Sequence, residues 1–120
     1  MTPNPEAPAG GAPTPKPKED PVYIESEGSI EARFIAWCTH SGIVCKKLQL
    51  NSEGGWPDRT LLYKGRVMFI ELKRFGERPT PLQRYILDEL TKIGFTAVWA
   101  DTFKQATVLT EDWKRHVDNR

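Results

Sequence analysis

Asp58 stands directly after Pro57 at a turn-to-strand junction, and twelve residues separate it from the run Glu71-Leu72-Lys73. On a strand, residues i and i+2 project from one face, so Glu71 and Lys73 look the same way. Two converging carboxylates beside an ammonium suit a divalent cation. Asp58 and Glu71 are the expected direct ligands, with the backbone carbonyl of Leu72 as a third. Such a centre hydrolyses phosphodiesters: Mg²⁺ or Mn²⁺ acidifies a water, neutralises phosphate charge and steadies the leaving oxygen. Lys73 is placed to orient the attacking water and to stabilise charge on the phosphate.

Two further polar residues sit where apolar ones are expected. From Ser29 to about Ser41 the sequence predicts an amphipathic helix. At ~100° per residue, Ile30, Phe34, Trp37, Cys38 and Ile35 fall in one arc, and Glu31 falls inside it. A carboxylate there is costly unless it is paired or binds metal, so Glu31 is expected to complete the cation's shell directly or through water. Thr80-Pro81 opens a second helix, with Thr80 as cap and Pro81 at the first position. Leu82, Ile86, Leu87, Leu90 and Ile93 make its stripe, Gly94 ends it, and Gln83 points into the stripe. Gln83 is expected to bond a metal-bound water or the lysine. A Glu-x-Lys on a strand is ordinarily a solvated pair, and an Asp after Pro is ordinarily turn chemistry. The coincidence of four such features argues for a site.

The elements that must position these groups follow from pattern. Ile43–Gln49 is β-rich and predicts a strand. Leu50–Pro57, with Asn51, Ser52, Gly54 and Gly55, is a loop. Arg59–Tyr63 and Arg66–Lys73 are strands joined by a tight turn at Lys64-Gly65. Val67, Phe69, Glu71 and Lys73 share one face of the second strand, and Met68, Ile70 and Leu72 the other. Both faces are mainly apolar, which predicts a strand covered on both sides. Arg74–Pro79 is a basic loop, Phe95–Ala100 a strand, Thr102–Leu109 a short helix, and the tail from Thr110 polar. The expected class is α/β, in the order α-β-β-β-α-β-α, a mixed sheet flanked by helices.

Taken jointly, Gly55-Trp56-Pro57-Asp58-Arg59, Phe69-Ile70-Glu71-Leu72-Lys73 and Thr80-Pro81-Leu82-Gln83 resemble the VRR-NUC family, a branch of the PD-(D/E)XK nuclease superfamily. Glu31 matches that family's leading acidic residue, and the likeness runs from about Ile30 to Ala100. The resemblance implies a restriction-endonuclease-like fold and metal-dependent DNA cleavage. It places Glu31, Asp58, Glu71, Lys73 and Gln83 in the active site. A minimal domain looks like the stand-alone phage and bacterial members, which resemble resolvases of four-way (Holliday) junctions. A flap, nicking or less selective nuclease on the same site stays open, as does a non-catalytic DNA-binding subunit.

Composition sets limits on the partners. The chain has 120 residues and a formal charge of +1, so any nucleic acid must be held by a local basic patch. Arg74 and Arg78, on the loop after the catalytic strand, are the leading candidates for phosphate contacts. Arg59, Arg84, Lys46 and Lys47 are others. Trp56 either stacks on a base or packs. Paired cuts on two strands need two sites, so a homodimer on branched DNA is expected. Residues 1–21 hold seven of the ten prolines and predict a disordered arm, leaving 22–120 as the folded domain. No signal peptide or membrane span is read, and Cys38 and Cys45 lack metal spacing. They are expected to be buried, reduced thiols of a cytoplasmic protein. His40 and His116 are expected on the surface.

Overall fold

Strand β3 (Arg66–Leu72) is the axis about which the rest is arranged, and its alternation explains both layers. Met68, Ile70 and Leu72 are fully buried on one face. There they meet Ile30, Phe34 and Cys38 of helix α1 (Glu27–His40), Leu61 of strand β2 (Arg59–Tyr63), and Ala106 and Trp113 of helix α3 (Phe103–Asp118). Phe69 and Glu71 lie on the opposite face. Phe69 packs edge-on against Trp56 and Phe95, and Glu71 meets helix α2 (Pro81–Lys92). The computed structural model describes residues 24–48 and 54–120. The proline-rich arm expected over 1–21 lies outside the described residues.

The sheet runs in the order β1-β2-β3-β4, with β1 at Val44–Lys46 and β4 at Thr96–Ala100. The first three strands are antiparallel, and β3 and β4 are parallel, joined by the crossover through α2. Thr60 lies opposite Phe69, and Glu71 opposite Trp99. The expected class and element order hold. At the β2–β3 turn Lys64 (φ 48°) and Gly65 (φ 77°) are both left-handed, which matches the twist of a two-residue hairpin. Helix α2 starts as expected. Thr80 Oγ1 accepts from the Gln83 backbone N–H, and the Gln83 side chain accepts from the Thr80 backbone N–H, a complete capping box.

Several boundaries differ from expectation for identifiable reasons. Helix α1 begins at Glu27 rather than Ser29, because Ser26 caps it by accepting from the Ser29 backbone N–H. Strand β1 is only three residues long: Ile43 donates to the Cys38 carbonyl in a turn, and Gln49 lies outside the described residues. The largest correction is α3, which runs to Asp118 and includes the stretch read as a polar tail. Thr110 occupies a core position by donating its hydroxyl back to the Ala106 carbonyl (2.8 Å). Trp113 then packs against Tyr63, with ring centroids 6.1 Å apart. Tyr63 and Lys64 both donate to Asp118, fastening the end of α3 to the hairpin. Both cysteines carry free thiols, Cys38 in the core and Cys45 half-buried against it. No helix among the described residues is long and apolar enough to cross a membrane.

Candidate active site

The pairing of β2 with β3 and the parallel return of β4 bring Asp58, Glu71 and Lys73 to one end of the sheet. Asp58 sits immediately before β2, and its Oδ2 accepts from the Leu72 backbone N–H (2.9 Å). That bond ties the Pro57-Asp58 turn to the last residue of β3. Lys73 lies just beyond the strand, its backbone N–H donating to the Ala100 carbonyl (2.8 Å). The Lys73 ammonium approaches Glu71 Oε2 at 3.6 Å, with only 13% of its side chain exposed. The two residues therefore do share a face.

Glu71 is 2% exposed and its two oxygens differ. Oε2 accepts from Gln83 Nε2 (2.9 Å) and faces Lys73. Oε1 is buried with no hydrogen-bond partner among the described residues. A buried carboxylate oxygen without a partner is costly, and a proton, an ordered water or a bound cation relieves it. Burial, and next the negative charge of Asp58, push the Glu71 carboxyl up to about 7, with Lys73 pulling the other way. Burial also raises Asp58. The Leu72 N–H and Lys73 oppose that shift, and Glu31 adds to it. Two acids pressed together against the cost of desolvation fit a hard divalent ion, which would favour the ionised form of both. Among the described residues no three His, Cys, Asp or Glu side chains close into a ligating cluster. Asp58 and Glu71 are two acids that meet at this end of the sheet, each adding negative charge to the other's neighbourhood.

Glu31 accounts for the missing third acid. Its Oε2 accepts from Arg59 Nε at 2.7 Å, in an ion pair mostly shielded from water. In this structure the misfit in the apolar arc is met by the pair with Arg59, and the charge of Glu31 raises Asp58. Its helix presents another carboxylate that the sequence reading missed. Glu27, one turn earlier, has its carboxyl raised first by burial and next by Asp58, with Lys73 opposing and Glu77 and Glu31 adding. Its surroundings are those of the site. The available signal was the i, i+4 relation to Glu31, which puts both acids on one helix face.

The other expected residues divide cleanly. Gln83 does not hold the lysine; it holds Glu71, and its Oε1 accepts from the Thr80 backbone N–H. One side chain thus caps α2 and orients the carboxylate. Arg59, expected at the phosphates, pairs with Glu31 through its Nε. Trp56 packs, its ring edge-on to Phe69 and its indole nitrogen buried. Arg74, Arg78, Arg84, Lys46 and Lys47 are exposed. Gly55 lets the loop pass beneath α2. Its φ is 84°, and a Cβ there would lie 2.7 Å from Leu82 Cγ and 2.8 Å from Ile86 Cδ1.

No protein-family model matches the chain. It is 30% identical over 84 residues to a protein named "Putative nuclease p44" from Acyrthosiphon pisum secondary endosymbiont phage 1, covering 69% of this chain and 90% of that one. A solved structure described as "VRR_NUC domain" superposes with a TM-score of 0.65 at 26% identity, covering 71% of this chain and 94% of its own. A second, described as "VRR_NUC domain protein", shares the fold with a TM-score of 0.64 at 18% identity, over 74% and 88% of the two chains. With the relative named as a nuclease and the solved domains of the same type, the chain belongs to the VRR-NUC family of nucleases.

Proposed function

We propose that this nuclease is a Mg²⁺- or Mn²⁺-dependent endonuclease that cuts branched DNA, four-way junctions foremost, as a homodimer. The observation that supports it most is the buried, unpartnered Oε1 of Glu71 beside Asp58 and Lys73. Asp58, Glu71 and the backbone carbonyl of Leu72 would hold the ion, with Glu27 or Glu31 reaching it through water. When bound, the ion supplies phosphate charge neutralisation and a more acidic water. The chain's own groups do the remainder. Gln83 fixes the plane of the Glu71 carboxylate, so that Oε1 is the oxygen left to bind. Lys73, screened from solvent and steered by Glu71, orients the attacking water and stabilises charge on the phosphate.

Arg74, Arg78 and Arg84 would neutralise backbone phosphates without reading sequence. A domain this small spans little DNA, and two nicks placed symmetrically about a junction call for two sites related by a two-fold axis.

The test is a panel of labelled substrates (four-way junction, flap, splayed arm, duplex and single strand) with Mg²⁺, Mn²⁺ or EDTA, beside a Lys73→Ala control. Metal-dependent cleavage favouring the junction is expected, with none in EDTA. Equal cleavage of every substrate removes junction selectivity. Activity that survives EDTA or Lys73→Ala removes the mechanism. Sedimentation as a strict monomer on junction DNA removes the dimer.

A further inference from the structure

The loop between Lys73 and α2 carries a large apolar side chain in an unexpected place. Phe75 is 54% exposed, two residues beyond Lys73. An exposed aromatic ring on a floppy loop would mean little, but this loop is pinned. The Glu77 backbone N–H donates to the Arg74 carbonyl (2.9 Å), closing a turn with Phe75 and Gly76 at its centre. The Gly76 N–H donates to Asp101 Oδ2 (3.0 Å), which fastens the turn to the chain just after β4. Gly76 takes a φ of 90°, and no neighbour lies within 4 Å of where its Cβ would be, so glycine serves backbone conformation there, not clearance. At the far end Pro79 is buried, and Thr80 caps α2. Phe75 is therefore held out into solvent with an exposed arginine, Arg74 and Arg78, on either side along the chain.

We infer that Phe75 stacks on a nucleobase released from the helical stack beside the cut phosphate, so that the enzyme favours DNA whose base stacking is interrupted near the site. This rests on the proposed DNA cleavage and adds how the substrate is chosen. The arginines supply the electrostatic half of a single-strand contact, and the ring supplies the half that tolerates any base, since every base has a π face. In continuous duplex both faces of each base are already covered, and the ring has nothing to take. At a branch or nick an unpaired base offers a free face. Stacking of one base is worth a factor of about 5 to 150 in affinity. Among the described residues neither Arg74 nor Arg78 is in an ion pair, and two exposed guanidiniums beside the ring suit phosphates, which favours nucleic acid over a protein as its occupant.

The experiment is a double cycle. One branched duplex carries an unpaired base at each of the three positions nearest the branch in turn. Its counterpart carries an abasic sugar there. Binding is read by anisotropy in the Lys73→Ala protein, with and without Phe75→Ala. Removing the base is expected to weaken binding about 5- to 150-fold when Phe75 is present, and by under about 3-fold when it is alanine. Phe75→Trp is expected to restore the base dependence. Equal losses with and without Phe75 at all three positions overturn the inference, as does a Phe75→Ala defect of the same size on abasic DNA. Because binding is measured without turnover, a wild type that cleaves none of the substrates defeats the cleavage reading and leaves this test intact.

Discussion

Replacing Glu71 by glutamine should stabilise the metal-free protein while abolishing its cleavage. Glu71 is 2% exposed, and its carboxyl is pushed from 4.5 up to about 7, first by burial and then by Asp58. Below pH about 4.5 the folded and unfolded chains both hold the proton, and the group contributes no difference. Between 4.5 and 7 the folded protein keeps a proton that the unfolded chain has released, so stability falls as pH rises. Above about 7 the penalty is fully present and amounts to about 3 kcal/mol. Asp58, also raised, tilts the same way. Glutamine removes the charge and keeps an oxygen for Gln83 Nε2. In EDTA the wild type should therefore lose about 3 kcal/mol between pH 4.5 and 8, and Glu71→Gln only a fraction of that. At pH 8 the variant should melt more than about 10 °C above the wild type, given the ~4–8 °C per kcal/mol of a domain this size. Urea and thermal melts followed by circular dichroism across that pH range measure it. Parallel pH profiles, or a variant less stable at pH 8, would refute the account of Glu71 as a strained, cation-seeking group.

The other predictions concern its neighbours. Lys73→Ala should lower cleavage by roughly 10²–10³-fold and move the pH inflection of metal-free stability upward, since the charge that lowers Glu71 is gone; an unmoved inflection counts against the ion pair. Gln83→Ala should cost about 10–100-fold in activity at saturating DNA, with an increased metal requirement seen in a Mn²⁺ titration. It should also cost about 1 kcal/mol from the lost side of the capping box. Trp113→Ala should destabilise by about 3–5 kcal/mol in urea unfolding, an effect that a polar, unpacked tail would not produce. Arg74→Ala and Arg78→Ala should each lower the salt slope of DNA binding by about one. Arg59→Ala should leave the slope unchanged and lower stability by leaving Glu31 unpaired, as read by paired binding and melting curves.

What the sequence revealed followed the physics of periodicity. A strand with apolar residues on both faces and charges on one is a contradiction that burial of a paired group resolves, and the meeting of Glu71 with Lys73 was legible for that reason. The Thr80-Pro81 start was legible because its cap is local. Glu31 shows the limit: a helical wheel registers an acid on the apolar side but cannot tell what meets it, and Arg59 lies 28 residues away. Glu27 was lost by placing the start of α1 two residues late, which left that acid outside the helix. The second half of α3 was unreadable because Thr110 looks polar in sequence, whereas its hydroxyl is satisfied by its own helix.

Gly55 carries a consequence for how such a chain can diversify. Its lack of a side chain is the clearance between the loop leading to Asp58 and the helix bearing Gln83. Any bulkier residue would meet a strained φ of 84° and press on the Leu82 and Ile86 side chains of that helix, next to the amide that holds Glu71. Heritable change at this position should thus register as loss of catalysis, although the residue itself need never touch a substrate.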